Sequence, residues 1–131
     1  DWLTGAAVAL AKSLGIDAVY RQEPVGVWVG WKKLGAVGVH VEHQVAIHGL
    51  SLNVTPEATA PFRQGLFVAC GARSAAVTSL LEEGAVSTLS TEQAADRFAA
   101  QLMRLRDLPM RPVEPARAEL LLDRMSTAVA R

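Results

Sequence analysis

The sequence predicts an α+β domain, in which a mixed or antiparallel sheet is flanked by helices. Apolar residues recur at helical spacing near the N-terminus, alternate with a period of two from Gly26, and return to helical spacing after Ser90. Strands that come early and helices that come late are typical of an α+β fold rather than of alternating βαβ units. The 131 residues, 50% of them hydrophobic, are enough to build one core, so we expect a single domain over 1–131.

The first two elements are a helix and a short strand. Leu3, Ala6, Leu10 and Leu14 follow helical spacing over residues 1–14, and Gly15 suits the position just after a helix. The segment IDAVYR, ending before Pro24, then predicts a strand.

Residues 26–54 predict a meander of three strands, at about 26–29, 32–41 and 44–54. The segment is rich in valine, with a turn at Gly30 and a polar break around 42–44. Small residues collect on the middle strand, at Gly35, Ala36 and Gly38. Small side chains on a strand allow either a ligand or another backbone to approach closely, and both interpretations stay open from the sequence alone.

The second half of the chain predicts mostly helices. We expect a loop over 56–65, because it contains two prolines, a short buried strand over 66–70, and a helix over 75–83 that ends at Gly84. Ser90 and Gln93 form a capping-box pattern for a clear helix. Its apolar face is Ala94, Phe98, Leu102 and Leu105. Residues 107–116 predict a linker to a final helix that reaches about Ala128.

Charge and composition disfavour several classes of partner. Thirteen basic residues balance thirteen acidic ones, so no net field draws the chain to nucleic acid or to an anionic membrane. The apolar runs are too short to span a bilayer, and no secretory signal opens the chain. With a single cysteine, these features favour a reducing, cytoplasmic location.

That cysteine, Cys70, is the first candidate for chemistry. A lone thiol cannot form an intramolecular disulfide, so it is either an inert packing residue or a reactive group. Reactivity needs a nearby cation or base to favour the thiolate. Lys33 and Lys32 are candidates on opposite faces of one strand, and the residues alone do not choose between them.

The histidines and tryptophans offer weaker candidates. His40 and His43 have unfavourable strand parity for a shared metal, and no carboxylate or second thiol joins them, so we expect no metal or other cofactor. His48 is expected to face inward as a packing residue, although a cysteine–histidine pair stays possible. The tryptophans are interpreted as packing residues.

Three blocks of the sequence resemble the lipoyl (octanoyl) transferases, in order and in spacing. The blocks are GVWVGWKKLGAVGV, IHGLSLNVTPE and ACGARSAAVTSL, and together they cover about residues 26–81. The resemblance implies the catalytic-domain fold shared with lipoate and biotin protein ligases, similar to that of class II synthetases.

The resemblance also implies roles for individual residues. Cys70 matches the acyl-carrying cysteine, Lys33 matches the catalytic lysine, and backbone N–H groups near Gly71 would hold the oxyanion. The positions that match substrate-contacting residues are Ala36, Val37 and Gly38 on one strand, and His48, Gly49, Leu50 and Ser51 on the next.

The implied reaction is a two-step octanoyl transfer. The Cys70 thiolate would attack the thioester of octanoyl-acyl carrier protein, and a lysine amine would then attack the acyl-enzyme to form an amide. The implied acceptors are the lipoyl domains of 2-oxoacid dehydrogenase complexes and the glycine cleavage H protein.

The sequence departs from the family pattern at several places. Ala69 stands where the family has proline, and Ala72 where it has isoleucine. The family's Arg-Gly-Gly and His-Gly-Pro-Gly-Gln segments have no match, so we expect a catalytic domain that is incomplete at its N-terminus. A non-catalytic module that binds an acyl group or a carrier protein is the alternative. An ATP-using ligase is less favoured, because a ligase needs no cysteine at position 70.

Overall fold

Four strands in chain order form the sheet that organises the protein. A computed structural model describes residues 2–69, 76–85, 88–107, 109, 113–114 and 116–120. The strands are β1 (Ala18–Gln22), β2 (Val25–Val29), β3 (Lys32–Glu42) and β4 (Val45–Leu52). Neighbouring strands are antiparallel and the order is β1-β2-β3-β4, which confirms the predicted meander and the short strand before it.

Three helices accompany this sheet, two on one face and one on the other. The helices are α1 (Trp2–Ser13), α2 (Pro56–Arg63) and α3 (Thr91–Arg106). Helix α1 packs against α3 and against β1, β2 and β4. This arrangement of helices and an antiparallel sheet confirms the predicted α+β class.

The core lies between the sheet and α1. Leu10 of α1, Val27 of β2 and Leu34 of β3 are fully buried there, together with Leu80 from the segment before α3. Ala94 and Phe98 bring α3 to the same cluster, as its predicted apolar face requires. Leu105, on that predicted face, is instead 51% exposed at the end of the helix.

A β-bulge near the start of β3 changes which side chains share a face. Val27 pairs with Gly35 whereas Trp28 pairs with Lys33, so Leu34 is the extra residue on β3. An extra residue reverses the alternation of side chains beyond it. Lys33 and Ala36 therefore face the same side of the sheet, although they are three positions apart.

Three predictions between β4 and α3 are wrong. Residues 56–63 of the expected loop form α2, in which Pro56 stands in the first turn. In place of a buried strand, Leu66, Phe67 and Val68 lie outside any strand and are more than 60% exposed. In the expected helix of 75–83, Val77 forms a parallel bridge with Lys33 and residues 80–84 form a turn.

The C-terminal predictions are partly within the described residues. Helix α3 starts at the predicted capping box and ends at Arg106, with Asp107 in a left-handed conformation. Residues 116–120 are helical, whereas the expected end near Ala128 lies outside the described residues. The linker over 107–116 and the single-domain boundaries stay predictions.

Candidate active site

A cavity of about 270 Å³ opens on the face of the sheet opposite α1 and α3. We call it the Lys33 pocket. Lys33 and Ala36 of β3 lie along it with Ser51 of β4 and Asn53, and Phe62 of α2 and Val77 close it from the other side. Except for Lys33, Ser51 and Asn53, these side chains are apolar, which suits a site for an apolar chain beside one amine.

Lys33 is held at this pocket by tight packing. The residue is only 4% exposed, and its Nζ lies 5.7 Å from the centroid of the Trp28 ring, within the range of a cation–π contact. A Cβ on Gly26 would lie 2.8 Å from Cε of Lys33, so glycine leaves the space that this side chain occupies. Trp28 is also buried, and its Nε1 donates to the carbonyl of Pro24.

The backbone of Lys33 is bonded to the chain that follows the cysteine segment. Its N–H donates to the carbonyl of Ala76 at 2.8 Å, and its carbonyl accepts from the N–H of Thr78 at 2.9 Å. The strand alternation predicted for the two lysines is confirmed, because Lys32 is exposed and forms an ion pair with Glu83.

The two candidate substrate strands face each other in register. Ala36 pairs with Ser51, Val37 with Leu50 and Gly38 with Gly49. Their side chains nevertheless divide between two faces. Ala36 and Ser51 line the Lys33 pocket, whereas Leu50 lies on the other face beside Ala94 and Phe98 of α3.

Gly35 and Gly38, the two glycines of the small-residue pattern, differ in the space around them. A Cβ on Gly35 would lie 2.7 Å from the carbonyl oxygen of Ser51, whereas a Cβ on Gly38 would meet nothing within 4 Å. Close backbone approach accounts for Gly35, whereas no described atom lies near enough to require glycine at position 38.

The expectation that His48 faces inward is wrong. His48 is exposed and has φ of 65°, next to Gly49 with φ of 151°. Successive residues at the far ends of β3 and β4 are exposed, so alternation there does not bury either face. Among the residues that the structure describes, no group of three His, Cys, Asp or Glu side chains could hold a metal ion.

A second, larger cleft of about 580 Å³ adjoins the Lys33 pocket, and the two share Phe62, Phe67 and Val77. Its polar rim consists of the ion pairs Lys32–Glu83 and Arg63–Glu82. Partial burial raises the pKa of Glu82, but hydrogen bonds from Ser79, Thr59 and Arg63 outweigh it and hold that pKa below its ordinary value of 4.5.

Cys70 and Gly71 lie outside the described residues. The described residues closest to them in the sequence are Ala69 and Ala76, which both line the larger cleft. Ala69 and Val77 also line the Lys33 pocket. The chain therefore leaves the described part beside Lys33 and returns to it there.

Sequence reasoning missed several residues of the pocket, among them Phe62 and Asn53. Phe62 was assigned to a loop, since the prolines of 56–65 concealed the helix that presents it. Asn53 was quoted within the block IHGLSLNVTPE without a role, although its parity with Ser51 on one strand was a readable signal.

The comparison with known families agrees with this geometry. The lipoyl protein ligase A/B catalytic domain matches residues 1–103, which include every described residue of the Lys33 pocket. The chain belongs to this family.

Members of known name extend the comparison. An octanoyltransferase of Acidiphilium cryptum is 36% identical over 76% of this chain and 43% of its own length. A probable octanoyltransferase of Pyrobaculum aerophilum is 32% identical over 87% of this chain and 50% of its own. A chloroplastic octanoyltransferase of Arabidopsis thaliana is 41% identical over 57% of this chain and 27% of its own.

The chain thus spans about half or less of the length of these relatives. In the part of the chain that the structure describes, no helix is long and apolar enough to cross a membrane. The relatives include chloroplastic and mitochondrial proteins.

Proposed function

We propose that this chain carries the acyl-transfer site of an octanoyltransferase, with Cys70 as the nucleophile and Lys33 beside it. The observation that carries the proposal is the buried Lys33, which lines an apolar pocket together with Ala69 and Val77. These two residues flank the segment that contains Cys70. The octanoyltransferases among the relatives support the same reaction.

In the first step, the Cys70 thiolate attacks the thioester carbonyl of an octanoyl-carrier protein. A new carbon–sulfur bond forms on Cys70, and the bond to the carrier sulfur breaks, so the carrier leaves as a thiol after it takes a proton. One thioester replaces another, so the step is nearly balanced in energy. Lys33 supplies the positive charge that favours the Cys70 thiolate.

In the second step, the amine of a lysine on a lipoyl domain attacks the acyl-enzyme. The carbon–nitrogen bond of an amide forms, the bond to Cys70 sulfur breaks, and the proton lost by the amine returns to the thiolate. Backbone N–H groups near Gly71 stabilise the oxyanion in both steps. Amide formation makes the overall transfer favourable.

The pocket supports a medium-length acyl chain in this role. Ala36 and Gly38 of β3 lie opposite Ser51 and Gly49 of β4, and these small residues leave room beside the sheet. Phe62, Val68 and Ala69 supply apolar surface on the other side. Val37 and Leu50 contribute through their backbone, because they lie on the alternate positions of the paired strands.

The finer parts of the proposal concern the whole protein. Octanoyl-acyl carrier protein is the donor, the lipoyl domains of 2-oxoacid dehydrogenase complexes and the glycine cleavage H protein are the acceptors, and the location is cytoplasmic. The fold is that of the biotin-ligase-like catalytic domains.

The test is incubation with octanoyl-carrier protein, without ATP, followed by intact mass measurement. We expect a gain of one octanoyl group that hydroxylamine removes, and none after Cys70→Ser. Lys33→Met should slow acylation about 10²-fold or more, while Lys32→Met keeps the rate within about threefold, because only Lys33 faces the pocket. No adduct on the wild-type chain would favour the non-catalytic module, and a strict need for ATP would favour a ligase.

A further inference from the structure

Asn53, the residue that follows β4, joins three parts of the chain around Lys33. Its N–H donates to the carbonyl of Leu34, the residue after Lys33, at 3.0 Å. Its side-chain Nδ2 donates to the carbonyl of Thr78 at 2.9 Å, and its own carbonyl accepts from the N–H of Leu80 at 2.9 Å. These three hydrogen bonds connect β3 with the segment that follows Cys70.

Both backbone polar groups of Thr78 are consequently hydrogen-bonded. Its N–H donates to the carbonyl of Lys33, and its carbonyl accepts from Asn53. Thr78 is only 2% exposed, so water does not readily replace a lost partner there. The side chain of Asn53 also lies along the Lys33 pocket.

We propose that Asn53 is a positioning residue of the acyl-transfer site, which holds the segment after Cys70 in register with Lys33 through the carbonyl of Thr78. The inference rests on the proposed function, since it assigns Asn53 to the pairing of Lys33 with Cys70. Asn53 acts through Thr78 and takes no part in bond making or proton transfer.

The other charged groups near the site have partners that do not involve Asn53, although the Thr78 hydroxyl also donates to Glu83 at 2.6 Å. Lys33 of β3 and Arg21 of β1 both lie over the Trp28 ring, at 5.7 and 5.4 Å from its centroid. The rim of the larger cleft carries the ion pairs Lys32–Glu83 and Arg63–Glu82. A change at Asn53 therefore alters the position of Lys33 relative to the 76–78 segment and leaves these charges in place.

The experiment measures the rate of Cys70 alkylation by iodoacetamide as a function of pH, on the whole chain. In the wild type we expect the rate to rise as the thiolate forms, at a pH below the pKa of a free cysteine, which is about 8.5. Asn53→Ala and Asn53→Leu, the second of similar size and neither with an N–H donor or a charge in its side chain, should move this profile towards the free range. The expected loss of rate at neutral pH is about tenfold for a shift of one pH unit.

Two comparisons separate positioning from a general loss of stability. Ser79→Ala removes two neighbouring hydrogen bonds, one from the Ser79 hydroxyl to the Glu82 carboxylate and one from the Glu82 N–H to that hydroxyl, and should lower thermal stability without moving the profile. Lys33→Met should reproduce the shift of the Asn53 variants. In Lys33→Met, the further change Asn53→Ala should alter the rate by less than about twofold, because Asn53 acts through its placement of the segment beside Lys33. Additive effects of the two changes would instead indicate independent sites.

The outcomes distinguish this inference from the proposed function. A wild-type profile shifted below the free range, together with an unshifted profile in both Asn53 variants, would overturn the inference and leave the octanoyl adduct to stand. A wild-type profile of an ordinary thiol would overturn the pairing of Lys33 with Cys70, and the role of Asn53 with it.

Discussion

Two glycines of β3, three residues apart, lie in different surroundings and make a matched pair of substitutions. In Gly35→Ala, the new Cβ would lie 2.7 Å from the carbonyl oxygen of Ser51, and a backbone atom of a paired strand cannot move aside cheaply. We expect a loss of about 1–3 kcal/mol in the free energy of unfolding.

Gly38→Ala is the control, because its Cβ would meet nothing within 4 Å. Its expected effect is small, or a gain of about 0.4–1 kcal/mol from the less flexible unfolded chain. Urea denaturation of both variants measures the difference. Equal losses of unfolding free energy in the two variants would contradict the conclusion that close backbone approach requires glycine at position 35 but not at position 38.

Glu82 is the carboxylate on which hydrogen bonds from two elements converge. Oε2 accepts from Ser79 at 2.7 Å and from Thr59 of α2 at 3.1 Å, and Oε1 accepts from Arg63. Partial burial raises the pKa of Glu82, but these hydrogen bonds lower it by more, so the pKa lies below 4.5. At neutral pH we expect Glu82→Gln to cost about 1–2 kcal/mol of stability.

The pH dependence has a definite sign. Because the folded-state pKa of Glu82 is depressed, its contribution is present above the unfolded-state value and is lost as the pH falls through the folded-state value. The difference in unfolding free energy between the wild type and Glu82→Gln should therefore shrink below about pH 4.5. Asp96→Asn, on the exposed surface of α3, is the control that removes one charge elsewhere. A pH-independent difference would contradict this role.

At the scale of residues, strand alternation correctly placed Lys33 and Lys32 on opposite faces, although only the family resemblance chose Lys33, and the same alternation misplaced His48. Two adjacent lysines on a strand must face opposite ways, and the structure buries Lys33 and exposes Lys32. The same reasoning failed for His48, because nothing among the described residues covers either face of the sheet there, so an inward position does not exist. The bulge at Leu34 was equally hidden, since only the pairing of β2 with β3 reveals an extra residue.

At the scale of elements, the capping box of α3 is the clearest start signal in the chain. The Ser90 hydroxyl accepts from the N–H of Gln93 at 3.2 Å, and the N–H of Ser90 donates to the Gln93 side chain at 3.1 Å. Ser90→Ala should therefore lower stability by about 1 kcal/mol, whereas Ser90→Thr keeps most of it. Thermal denaturation of the two variants tests this, and equal melting temperatures would argue against a contribution from the cap.

Helix α2 shows why a local pattern was insufficient elsewhere. Pro56 and Pro61 argued for a loop, yet Pro56 is suited to the first turn of a helix. Contacts distant in the sequence also stabilise the helix, because Thr59 and Arg63 both donate hydrogen bonds to Glu82 in the turn before α3. The contact that stabilises α2 thus comes from a residue almost twenty positions beyond its end, which local propensity does not include.

At the scale of the whole molecule, one sheet divides stability and the proposed chemistry between its two faces. Leu50 of β4 packs towards the core and α3, whereas Ala36 and Ser51 line the Lys33 pocket. The sequence predicted the extents of β3 and β4 well, because a period of two is a local property. It did not predict the division between the faces, which depends on the bulge and on where the helices pack.

This division predicts opposite effects for two substitutions on paired strands. Leu50→Ala should cost about 1–3 kcal/mol of stability, since it removes apolar contacts on the core face, and should leave the preferred acyl chain unchanged. Ala36→Leu should leave stability within about 0.5 kcal/mol, because Ala36 is exposed in the cleft. Its larger side chain would fill part of the pocket, so octanoyl transfer should fall relative to butyryl transfer.

Urea denaturation and acylation with octanoyl and butyryl donors, measured on the same two variants, separate these effects. Under the proposed function, only Ala36→Leu changes the ratio of the two acylation rates, and only Leu50→Ala shifts the urea midpoint. A changed ratio in Leu50→Ala would place the acyl chain on the face covered by α3, beside Phe98. An unchanged ratio in Ala36→Leu would remove the acyl chain from the Lys33 pocket, even if Cys70 still carries it.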